Sequence, residues 1–254
     1  MSNKKIDIYI CVDENLDRQN QSVLLDIKPK SLMLDVQKRR AKNPIVPKSI
    51  NRPELLALPG NYQACSAFHT LAENCFVVRS PIDAKIKIDN NGTIVSVIPE
   101  RNSHFFHERI SSIENAFSFD FLFSLCLFAE EKVEVSLTPP FLHQQNQQQH
   151  GYISSIKFDI SSWFRPFVFI YQLWEGINEI DIKAGEPIAY LTFHTDKKIM
   201  LKEFKLNPFL VNSLQACLIH KQIIPLETMK QLYDRFNRTR MNSRILSEIK
   251  KNLV

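Results

Sequence analysis

The stretch IDIKAGEPIAYLTFHT, residues 180–195, decides how the chain reads. Ile180, Asp181 and Ile182 alternate apolar and polar, as a half-buried strand does. Lys183, Ala184 and Gly185 make a turn. Ile188, Tyr190, Leu191 and Phe193 read as a second strand. The pattern is β, and the neighbouring segments repeat it. Upstream, IKFDI and RPFVFIYQLW are strands; downstream, KIMLKEFKL is another. Turns are short, and almost no helix stands between strands, which implies antiparallel pairing.

Farther upstream, CFVVRSPIDAKIKIDNNGTIVSVIPE holds three strands, with a hairpin turn at Asn90-Asn91-Gly92. NSHFFHERISSI reads as a short helix or a loop. FSFDFLFSLCLF places Phe117, Phe119, Phe121, Phe123, Leu125 and Leu127 on one strand face, and KVEVSLTPPF answers it. HQQNQQQHG (143–151) is a polar loop between strands. At the start, Ile6, Ile8, Ile10 and Val12 alternate with Asp7, Tyr9 and Cys11, a half-buried strand. Pro44, Pro47, Pro53 and Pro59 keep residues 37–62 out of regular structure, so this segment reads as an extended arm.

At Asn207 the period changes to that of a helix. Asn207 can cap it, and Pro208 suits its first turn. Leu210, Leu214, Cys217 and Leu218 form a stripe. Pro225 opens a second helix with Leu226, Met229, Tyr233 and Phe236 on one face, and Ile245, Ile249 and Leu253 mark a third. The expected architecture is α+β: a mainly antiparallel β core, as a sandwich or a β-clip-like barrel, with a C-terminal helical appendage. Residues 1–60 form a strand plus basic arm, 61–206 the β-rich core, and 207–254 the basic helical segment.

The 254 residues suffice for a substantial core. Only five glycines occur and they stand far apart, so a P-loop and a Rossmann fingerprint are absent. The start has too short an apolar run for a secretory leader, and no stretch approaches the ~18–20 apolar residues of a membrane span. Five scattered cysteines favour free thiols in a reducing compartment.

The net charge of +5 is uneven. Residues 28–52 carry eight Lys or Arg against one Asp, and 221–254 carry eight against three acids. The rest of the chain is acidic. Lys38, Arg39, Arg40, Lys42 and Lys48 form one candidate binding surface, and Arg235, Arg238, Arg240 and Arg244 a second. Such segments suit nucleic-acid phosphates or an acidic protein surface, including another subunit.

No catalytic motif stands out. Cys65, His69 and Cys75 lack the paired spacing of structural zinc sites. His104 and His107 are followed by Glu108, which points elsewhere. His143 and His150 flank a polar loop. No GxSxG is present. Arg165 beside the aromatic strand RPFVFIYQLW suggests a base-stacking platform, although alternating aromatics more often fill a core. The expectation is therefore no catalytic residue, no metal and no cofactor.

Two resemblances add to this reading. AGEPIAYLTF (184–193) resembles a strand of the dUTPase/dCTP-deaminase group, in which a turn with a glycine precedes an apolar run. That group's AGxxxxD loop and Gly-rich C-terminal clamp are missing here, so the resemblance implies a turn plus strand and not pyrophosphatase activity. More broadly, CSAF, NCFVVRSPID, SFDFLFS, FDISSWFRPFVF and IKAGEPIAYLTFHTD resemble a set of uncharacterised proteins encoded by large tailed bacteriophages, over residues 65–206. This resemblance implies a viral protein in the cytoplasm of a bacterial host, or in the virion. The function expected is a non-enzymatic interaction protein, a virion component or host-directed factor. Its expected partners are a virion or host protein and further copies of itself, with no membrane. The alternatives are a nucleic-acid-binding accessory protein and a nucleotide-pocket protein on a β-clip.

Overall fold

A computed structural model of the chain describes residues 4–12, 74–80, 82–109, 117–122, 125–140, 150–223 and 227–254. The strands are β1 Lys5–Val12, β2 Cys75–Arg79, β3 Ala84–Ile88, β4 Ile94–Ile98, β5 Phe106–Arg109, β6 Ser118–Phe121 and β7 Leu125–Ala129. They continue with β8 Glu134–Thr138, β9 Gly151–Ile153, β10 Ile156–Asp159, β11 Phe169–Leu173, β12 Glu179–Ile182, β13 Pro187–His194 and β14 Lys198–Glu203. Three helices follow: α1 Pro208–Ile223, α2 Met229–Arg238 and α3 Met241–Lys251.

Among the described residues the strands form four open sheets, ordered β14-β1-β7, β10-β8-β13-β2, β5-β6-β11-β9 and β12-β3-β4. Every pairing is antiparallel except β1 with β14, so the expected mainly antiparallel α+β architecture is present. The strand orders are open, which fits packed sheets and not a closed barrel. One apolar cluster draws on all four sheets, with Ile8, Val78, Ile86, Phe119, Val135 and Leu191 among its members.

Three readings of the sequence change. First, β1 is buried on both faces. Ile6, Ile8 and Ile10 face the main cluster. Tyr9 and Cys11 join a second cluster with Phe128, Leu214, Phe236 and Ile249. The helices therefore cover the sheet β14-β1-β7. Strand alternation shows only that two faces differ; a face covered by an amphipathic layer can still carry Tyr and Cys.

Second, FSFDFLFSLCLF is two strands in different sheets. Phe119 and Phe121 on β6 pair with β5 and β11. Leu125 and Leu127 on β7 pair with β1. All four still face one core, so the alternation is preserved while the hydrogen-bond partners change. Third, NSHFFHERISSI divides into a 3-10 helix, Glu100–Phe105, and strand β5.

Local signals explain several boundaries. Gly92 has φ +82°, and a Cβ there would meet the Phe117 ring at 2.0 Å, so only glycine fits this hairpin. The Asn207 side chain accepts a bond from Leu210 N–H at 2.9 Å, the cap expected for α1. The helix start expected at Pro225 lies outside the described residues. From Met229, Thr228 and Gln231 form a capping box. No helix among the described residues is long and apolar enough to cross a membrane.

Candidate functional site

The opening stretch folds as read, but its two strands belong to different sheets, so it is a sheet-to-sheet corner and not a hairpin. Its turn is clasped to residues 79–83. Lys183 N–H donates to Glu186 Oε2 (3.1 Å) and Ala184 N–H to Asp83 Oδ1 (2.9 Å). Gly185 N–H donates to the Ser80 carbonyl (2.8 Å) and Glu186 N–H to the Lys183 carbonyl (3.1 Å). Arg79 donates from Nη1 to the Gly185 carbonyl (2.9 Å). A phosphate-binding turn needs backbone donors left open. These four N–H groups are already occupied within the fold.

A different place has open groups. A cleft of about 640 Å³ lies along β10, walled by the segment 163–170 and by Tyr233 of α2. That volume is in the range of small-molecule and peptide-side-chain sites. Phe158 and Phe167 pack edge to face at 4.6 Å in its lining. Trp163 is buried against Phe236 (5.8 Å) and Tyr233 (6.4 Å). Burial raises the Tyr233 hydroxyl above its usual range, while nearby Arg165 lowers it and Asp159 raises it further. All three groups line the cleft.

The charges divide into held and open ones. Lys157 pairs with Glu134 at 2.7 Å. Asp159 holds its own loop: Oδ1 accepts from Ser161 N–H (2.8 Å) and Ser161 Oγ (2.7 Å), and Oδ2 accepts from Ser162 Oγ (2.9 Å). Arg165 and Lys132 have no hydrogen-bond or ion-pair partner among the described residues. Arg165 is the residue that the sequence marks beside the aromatic strand. Of the aromatics in that stretch, Phe169 and Tyr171 on β11 fill the core and Phe167 lies in both the core and the cleft lining; the other rings of the cleft come from Phe158, from Trp163 and from Tyr233, distant in sequence.

Lys38, Arg39, Arg40, Lys42 and Lys48 lie outside the described residues, as do Cys65 and His69. Arg235 pairs with Glu227, and Arg238 Nε donates to the Asp234 carbonyl at 3.3 Å. Arg240 sits at φ +55° between α2 and α3, and Arg244 is exposed on α3. The C-terminal charges are partly held in place: Lys250 reaches Glu130 at 2.8 Å and Lys251 reaches Glu248 at 2.7 Å. His104 stacks on Phe105 with ring centroids 4.1 Å apart, while His107 is exposed on β5.

One pair escaped the sequence reading. Ser136 Oγ and His194 Nε2 lie 2.6 Å apart on neighbouring strands. They stand 58 residues apart in sequence, so no local signal could join them. The neighbouring carboxylate, Glu134, is held by Lys157. Nucleophilic acyl transfer also needs donors aimed at an oxyanion, and the backbone around this pair is engaged in the β8–β13 ladder. Cys75 and Cys217 are buried, and burial pushes both thiols up to about 11, away from the thiolate that attacks. Among the described residues, no group of three or more His, Cys, Asp or Glu could hold a metal ion.

No family model, no curated protein and no solved structure matches this chain.

Proposed function

We propose that the chain is a phage-encoded interaction protein, a virion component or host-directed factor, that works through protein–protein contacts. The observation that carries this reading is the cleft along β10. It combines buried aromatics with a strand edge and an Arg165 that have no hydrogen-bonded or ion-pair partner among the described residues, which is the equipment of a binding surface. Among the described residues, the thiols are buried and the Ser136–His194 pair has its neighbouring backbone engaged in the β8–β13 ladder. The bacteriophage resemblance over residues 65–206 supplies the viral setting.

Native mass spectrometry of the purified full chain tests this, with absorbance at nucleic-acid and protein wavelengths on the same sample. The expected result is a defined assembly whose mass is protein alone, unchanged by moderate salt. A bound nucleotide or metal, or nucleic acid released steeply by salt, would overturn it. In that case the basic segments at 38–48 and 235–244 become the first place to look.

A further inference from the structure

We propose that the cleft along β10 takes an extended acidic segment of a partner protein, added as a further strand. This rests on the interaction reading above and names the chemistry of its partner. Three observations converge.

The first is the edge. β10 ends its sheet, paired only to β8 among the described strands. Ile160 N–H donates to the Val133 carbonyl at 3.1 Å. Backbone direction alternates along a strand, so Ile156, Phe158 and Ile160 point toward β8. Lys157 and Asp159 then present their N–H and carbonyl groups outward. Every residue from Ile156 to Ile160 lines the cleft, so the cleft runs along this edge. Five residues of strand span about 16 Å.

The second is charge. Lys132, Lys157 and Arg165 stand against Glu134 and Asp159 around the cleft. Lys157 and Glu134 satisfy each other, and the Asp159 carboxylate is turned into its own loop. The open charges, Arg165 and Lys132, are both positive. A guanidinium is suited to a carboxylate, which it can hold through two parallel bonds.

The third is the apolar lining. Phe158 and Phe167 offer contact to every second side chain of an added strand, since a strand alternates its faces. The occupant that meets all three is a segment alternating acidic and apolar residues. A small anion would use Arg165 but leave the strand edge unbonded.

The test uses the full-length protein and synthetic blocked hexapeptides, followed by calorimetry. The probes are Glu-Val-Glu-Phe-Glu-Val, the same peptide N-methylated at alternate amides, and its Lys-for-Glu counterpart. Saturable binding of the acidic peptide alone is expected. Arg165→Gln should weaken it by about tenfold, the loss of a charge-assisted bond. Lys157→Pro, which removes an outward N–H on an edge where proline is tolerated, should weaken it more than Lys157→Ala, which keeps the N–H and loses only the ion pair with Glu134. Where a variant melts early, the N-methylated peptide on the unaltered protein carries the same test. Absent binding, equal binding of the Lys or N-methylated peptide, or indifference to Arg165→Gln would each overturn the proposal. So would Arg165-dependent binding of adenosine monophosphate in place of peptide, which would mark a small-anion site. If these peptides fail while native mass spectrometry still shows a protein-only assembly, this inference alone falls. A nucleic-acid or nucleotide adduct in that spectrum removes the interaction reading itself.

Discussion

The clasp at 79–83 and 183–186 and the cleft at 157–165 are built from similar parts. Each has an arginine close to a proline and a short polar run. In the clasp, Arg79 donates to the Gly185 carbonyl, and all four N–H groups from Lys183 to Glu186 have partners. In the cleft, Arg165 has no partner among the described residues, and a strand edge stays open. Residue types announce neither role. What distinguishes them is whether the backbone N–H groups of the turn or strand edge are satisfied within the fold. The clasp joins two sheets, and the cleft is the place proposed above for a second molecule.

The largest expected effect falls on the cleft's aromatic wall, and it sharpens the contrast by showing that this wall is structural. Trp163 is 8% exposed and touches both Phe236 and Tyr233. Trp163→Ala should cost about 3–5 kcal/mol, the range for large aromatic truncations. Urea unfolding should show it as a lower midpoint. A loss under 1 kcal/mol would mean that the helical layer does not depend on this contact.

A smaller loss is expected in the clasp. Buried Ser80 donates from Oγ to the Ile82 carbonyl (2.8 Å) and accepts from Ile82 N–H (3.2 Å). Ser80→Ala leaves both groups unsatisfied, at about 1–3 kcal/mol. Because these bonds are internal, the acidic-peptide affinity should stay unchanged. Loss of that affinity in a folded Ser80→Ala protein would break the distinction between the two regions.

Two buried thiols, Cys75 on β2 and Cys217 on α1, respond in alkaline solution. Burial is the main cause of the rise for Cys75 and for Cys217, from 9.0 to about 11. The folded protein therefore favours the neutral thiol more than the unfolded chain does. That stabilisation is complete below pH 9 and is lost as pH rises toward 11. The urea midpoint should fall across this window, and less steeply in Cys75→Ala/Cys217→Ala. Equal slopes in both proteins would place the alkaline sensitivity elsewhere, for instance on buried tyrosines such as Tyr171.

How much of this was legible from sequence follows the range of each signal. The turn before β13, the Gly92 hairpin and the Asn207 cap depend on a few adjacent residues, and each reads correctly. The second face of β1 depends on Phe236 and Ile249, far along the chain, so alternation alone took Tyr9 and Cys11 for the exposed side. The break between β6 and β7 was hidden because both halves keep the same inward parity. The cleft was half visible: Arg165 stood out beside its aromatic strand. Tyr233, Lys132 and the open edge of β10 become its neighbours only through sheet order.

The smallest expected effect is the most direct comparison, because it sets one arginine against the other. Arg79→Gln removes a donor from the Gly185 carbonyl and should cost at least about 0.5–1.5 kcal/mol, the net value of that one hydrogen bond. Arg165→Gln removes no hydrogen bond or ion pair among the described residues and should stay within about 0.5 kcal/mol of the unaltered protein. Its stem still packs in the cleft wall, and glutamine retains part of that stem. The binding effects should run the other way, with peptide affinity lost in Arg165→Gln and kept in Arg79→Gln. Thermal melts and titrations on the same two proteins decide it. If Arg165→Gln proves the more destabilising, the guanidinium is held by the fold after all, and the division between satisfied clasp and open cleft fails at its clearest point.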